Sequence, residues 1–104
     1  MEVFKWLFSI EGKVVFIIGS ISLHDLKNAI YGFQEALRFV NKTTNDPIYP
    51  GFQAYTEERF GVSGKTVKGW DRLITERANS EENALKMFYE LLRDYCNTII
   101  DGGN

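Results

Sequence analysis

The stretch GVSGKTVKGW, residues 61–70, holds the residue types in this chain most suggestive of chemistry. Gly64-Lys65-Thr66 ends the way a phosphate-cradling loop ends, where backbone N–H groups and a lysine surround a chain of phosphates. The complete loop needs glycine at position 59, and Arg59 stands there. No buried strand precedes it, so the spacing argues against a nucleotide hydrolase. The same residues also read as the turn and second helix of a DNA reader within residues 52–75: a glycine turn, apolar Phe60 and Val62 around it, Val67 and Trp70 packing inward, and Lys65 and Lys68 left for phosphates. Against that reading, Glu57 and Glu58 lie on the supporting helix, Glu57 stands where a small residue is wanted, and the surroundings are acidic.

Catalytic groups are sparse. The one histidine, His24, falls in the first turn of a helix, and the sequence places no serine, cysteine or carboxylate beside it. The acid pairs Glu57/Glu58 and Glu81/Glu82 are adjacent in sequence, so on a helix their side chains diverge by about 100° and do not share a site. No Cys/His spacing suits a metal. The single cysteine, Cys96, lies in an apolar pattern with Tyr95 and Ile99; it reads as a buried thiol, and a reducing compartment is the simpler setting. These residues assign no catalytic role, metal or cofactor, and the expectation is a protein that is not an enzyme.

Elements must position whatever these residues do. At 104 residues the chain is long enough for one domain with one core, and its 44% hydrophobic and 14% aromatic residues supply that core. The net charge is −2, but the balance is uneven: residues 76–104 carry six acids against three bases. Such an end favours a basic partner over a phosphate backbone. The longest apolar run, Val14–Ile18, is far short of a membrane span, and the N-terminal residues lack the features of a secretion signal. A cytoplasmic location is therefore expected.

Ser22 followed by Asp25 resembles a capping box, and Leu23, Leu26, Ile30, Phe33, Leu37 and Val40 follow at helical spacing. Pro47 and Pro50 push Asp46 and Tyr49 out of helical geometry, so this helix ends near Val40 and the next begins after Pro50. The turn-rich residues 41–51 connect two helical parts. Ser80 caps a last helix with Glu81 and Glu82 in its first turn and a stripe from Ala84 and Leu85 through Phe88, Leu91, Leu92 and Tyr95 to Ile99. Between them, residues 52–60 and 65–77 both read as helices, the second with Val67, Trp70, Leu73 and Ile74 on one side. Residues 3–19 fit either a hairpin or a short helix followed by an extended segment; the helix is preferred, because a lone hairpin is marginal. The expected fold is an all-α single domain, residues 1–104, of about five helices.

The order of FKWLFSIEGK, FIIGSISLHDLKNAIYGF, GFQAYTEERFG, Gly69-Trp70 and SEENALKMFYELLRDY resembles a family of small helical bacterial immunity proteins of polymorphic toxin and contact-dependent growth inhibition systems. The likeness runs over about 90 residues. It departs after the first helix, where Lys13-Val14-Val15-Phe16 replaces the proline and the methionine-tyrosine pair common in the family, which leaves the conformation of residues 13–19 open. The resemblance implies a cytoplasmic protein with no active site and no cofactor, which binds a cognate toxin, the C-terminal nuclease domain of a large secreted protein, and contacts neither membrane nor nucleic acid. The expected toxin-facing residues are Glu57, Glu58, Asp71, Glu76, Glu81 and Glu82, which cluster off the apolar stripes, with Tyr49 as an aromatic anchor.

Overall fold

Six α-helices account for the regular structure in the computed structural model, which describes residues 2–40 and 51–102. They are α1 (Glu2–Ser9), α2 (Val14–Ile18), α3 (Leu23–Phe39), α4 (Gly51–Arg59), α5 (Trp70–Ala78) and α6 (Glu81–Gly102), and no strand occurs among the described residues. Tyr49 and the two prolines lie outside them.

Helix boundaries fall where side chains or glycines satisfy the orphan groups of helix ends. The Ser22 hydroxyl accepts from the Asp25 N–H at 3.4 Å, and the Ser80 hydroxyl accepts from the Asn83 N–H at 3.1 Å. α3 ends at Phe39 with Val40 as its C-cap, as expected. α5 stops at Asn79, whose φ of 69° is left-handed; asparagine is among the few non-glycine residues that take this conformation readily.

Residues 14–18 are helical, which corrects the expectation of an extended segment or hairpin there. The Gly19 N–H donates to the Val15 carbonyl at 2.9 Å, and Gly19 turns the chain with φ of 81°. The five residues are apolar throughout and therefore show no periodicity from which helix and strand could be told apart. α2 buries only Val14.

Residues 65–69 also differ from expectation: they are not helical, and α5 starts at Trp70. Val67, placed by its spacing on the core face, is fully exposed. A ten-residue connection, residues 60–69, thus takes the place of the short turn a helix-turn-helix requires. Gln53 of α4 holds this connection. Its amide donates to Glu57 at 2.8 Å and to the Lys68 carbonyl at 3.0 Å, while its side-chain oxygen accepts from the Trp70 N–H at 2.7 Å. Gly69 has no side chain with which to cap α5, so the cap comes from α4.

α6 is the spine, packing against α3, α4 and α5. An aromatic cluster fills the centre. Phe52 meets Trp70 and Phe88 edge-on, with centroids 5.1 and 5.6 Å apart, and Trp70 stacks on Phe88 at 5.1 Å. α1 joins through Val3, Phe4 and Leu7; the Tyr89 hydroxyl donates to the Leu7 carbonyl at 2.7 Å, and Arg93 pairs with Glu11 at 2.8 Å. Trp6 stacks on Phe33 at 5.0 Å. Both tryptophans thus serve packing, and Cys96 is buried as expected.

Candidate functional site

Polar groups converge where the start of α3, one side of α5 and the first turn of α6 meet around a cleft of about 390 Å³. Ser22 and His24 come from α3 and its cap, Asp71, Arg72, Thr75 and Glu76 from α5, and Glu81 from α6. Three of the expected partner-binding acids therefore share one concavity.

Asp71 is its deepest member and the clearest departure from expectation, because it is buried rather than presented on an open face. The capping geometry at Ser22 sets the register of α3, which brings residues 24 and 27 onto the turn facing α5. His24 Nδ1 lies 2.7 Å from one Asp71 oxygen, and Lys27 Nζ lies 3.0 Å from the other. An ionised carboxylate only accepts, so Nδ1 carries the proton and Nε2 remains as the ring's second polar position. Burial opposes the charge on Asp71. The hydrogen bonds from His24 and Lys27 and the charge of Lys27 outweigh that cost, and the carboxyl sits below its ordinary value.

Gly69 makes room for this arrangement. A β-carbon there would come within 2.6 Å of Lys27 Nζ and 2.8 Å of an Asp71 oxygen. Lys27 also lies 5.9 Å from the Trp70 ring centroid. The Gly69-Trp70 pair is thus explained by packing: one residue admits an ion pair and the other fills the core. The buried Trp70 Nε1 has no hydrogen-bond partner among the described residues.

The remaining acids fall into two groups. Glu76 receives two bonds from Lys68, at 2.8 and 3.0 Å, and lies 3.4 Å from Arg72; the Lys68 hydrogen bond is the main reason its carboxyl is shifted below its ordinary value. Glu57 is occupied by Gln53 and, at 3.3 Å, by the Gly64 N–H, so it serves the 60–69 connection. Glu58, Glu81 and Glu82 are exposed and form no ion pair among the described residues. Glu81 does accept from the Leu23 N–H at 3.4 Å, an orphan donor of α3. Glu81 faces the polar cleft, whereas Glu82 lines a second cleft beside α2, the divergence expected of adjacent helical residues. Tyr49 lies outside the described residues.

Sequence reasoning missed the His24–Asp71–Lys27 cluster. Its members lie 44 and 47 residues apart, and only the spacing of His24 and Lys27, three apart on α3, gave a signal within one element. Of the two lysines expected to face phosphates, Lys68 is engaged by Glu76 and Lys65 sits in the connection instead of on a helix. Among the described residues no group of three or more His, Cys, Asp or Glu is placed to hold a metal, and no helix is long and apolar enough to cross a membrane.

No family model matches the chain, and no characterised protein or solved structure is similar enough to stand as a relative.

Proposed function

We propose that this protein is an immunity protein that neutralises a nuclease toxin by direct contact, with the cleft between α3, α5 and α6 receiving basic side chains of the toxin. The observation that carries this reading is the gathering of Asp71, Glu76 and Glu81 with the exposed His24 in one concavity built on three helices. Asp71 is paired with Lys27, and Glu76 with Lys68 and Arg72, so the acid the cleft leaves to a partner is Glu81, which has no cation of its own among the described residues. A nuclease surface shaped for phosphates is basic, and opposite charge raises the rate of encounter and selects the partner. The cleft is lined by residues of three mutually packed helices and the turns that cap them, a setting that limits the ordering cost of binding. The resemblance of the chain to toxin-immunity proteins supports the same reading, and it is consistent with residence in the cytoplasm, where an incoming toxin would act. A DNA-binding regulator is less well supported, since Lys65 and Lys68 lie in the connection and not on a recognition helix.

The proposal predicts that a large secreted protein is encoded beside this gene, and the test is co-expression with the C-terminal fragment of that protein. The expected outcome is suppressed toxicity and a complex that survives purification. A fragment that remains toxic and elutes alone would refute the proposal, as would salt-sensitive binding of the chain to duplex DNA.

A further inference from the structure

α2 exposes more apolar surface than a five-residue helix needs to: Phe16 is 87% exposed, and Val15 and Ile17 are about half exposed. α2 forms one side of a cleft of about 400 Å³ whose apolar lining is Val14, Val15, Phe16, Ile21, Leu85 and Tyr89, so the exposed Phe16 ring stands at its rim. A protruding aromatic ring and an apolar recess thus occupy the same face. The edge of the recess carries both signs, with Glu82 and Lys86 one helical turn apart on α6 and no ion pair formed by either among the described residues.

We infer that this face binds a second copy of the chain, with Phe16 of each protomer seated in the recess of the other. A two-fold axis makes each such contact occur twice, and the two charges at the edge of the recess supply a complementary pair for it, Glu82 of one protomer with Lys86 of its partner. The mixed signs favour this occupant over a strongly basic partner, which would be repelled at Lys86. Size sets the strength. A standard interface covers about 800 Å² per partner, roughly one eighth of the 6375 Å² exposed by this chain. The face rests on one five-residue helix and one edge of α6, so the dimer inferred is a reversible one, sought up to a Kd of about 100 µM. The polar cleft lies on the other side of the Glu81–Glu82 step, so the inference stands independently of the toxin-binding reading.

Sedimentation equilibrium of the full chain from about 5 to 500 µM tests this against that range. The expected result is a monomer–dimer equilibrium that Phe16→Glu weakens at least tenfold while leaving the helical circular dichroism unchanged, because the ring lies outside the core. Glu82→Lys and Lys86→Glu each weaken association by about 3- to 10-fold, and the double swap restores it, as a pair facing across a two-fold axis must. A wild-type chain that stays monomeric throughout overturns the inference. So does a dimer indifferent to Phe16→Glu, or a monomer that co-sediments with vesicles of anionic phospholipid through α2.

Discussion

A buried carboxylate is stable only where donors meet its oxygens, and at Asp71 His24 and Lys27 take one oxygen each. The charge of a residue expected on an open face is therefore held inside the fold. Because its folded value lies below the ordinary 3.8, Asp71 contributes stability that is present above that pH and is lost as pH falls through the folded value. Asp71→Asn should lower unfolding stability by about 1–3 kcal/mol at pH 7, because Lys27 then loses its charged partner. The difference from wild type should shrink as the pH drops below the ordinary carboxylate range. Urea denaturation at pH 7 and pH 2.5 checks both statements; an equal difference at the two pH values would mean that the charge on Asp71 does not stabilise the fold. The pairing was not legible in the sequence, because nothing local links position 71 to positions 24 and 27. What local pattern did convey was that Asp71 stands off the apolar stripe of α5, and that remains true of a residue whose carboxylate turns toward α3.

Among the elements, α3 and α6 were the most legible, since each combines a serine cap with four or more turns of apolar spacing. Residues 65–69 were misread for a physical reason: Val67 stands three positions before Trp70 and so mimics a helical repeat, but Gly69 and the clasp from Gln53 start α5 only at Trp70. α2 was ambiguous because a uniformly apolar segment has no periodicity. The Gln53 clasp gives a prediction at this scale. Gln53→Leu removes the cap on the Trp70 N–H and the support of the Lys68 carbonyl, and should cost about 1–2 kcal/mol. Amide exchange should quicken at Gly64 and Trp70 while the central amides of α6 keep their protection. Equal protection at Gly64 and Trp70 in wild type and variant would show that the connection holds without the clasp.

At the scale of the whole molecule, one aromatic cluster joins α4, α5 and α6. Phe52 is fully buried and touches Trp70, Phe88 and Tyr95, so its ring links three helices. Phe52→Ala should cost about 3–5 kcal/mol, and Phe16→Ala on α2 less than about 0.5 kcal/mol; thermal unfolding separates them, and similar losses would contradict the placement of the Phe16 ring outside the core. The all-helical architecture and most of this core were legible from apolar spacing, which misplaced Val67 and Val40 because both lie beyond the helical turns that pack and are exposed. The site was legible in part. Acids off the stripes could be picked out, but which of them are consumed by internal partners, as Glu57 and Glu76 are, depends on tertiary geometry. The molecule that results is a packed helical frame with a polar cleft at one junction and an apolar face beside it.

The proposal at the centre of this account is that the polar cleft receives a basic partner, and the most direct measurement is titration calorimetry of the purified chain, in 0.1 and 0.5 M salt, against whatever toxin fragment the co-expression test identifies. Binding should weaken by about tenfold or more at the higher salt. Glu81→Lys should weaken it by a further ~10- to 100-fold, whereas Glu58→Lys on α4 should change it by less than about 3-fold. Binding that ignores both salt and Glu81→Lys would contradict the account, because the partner would then grip a different surface.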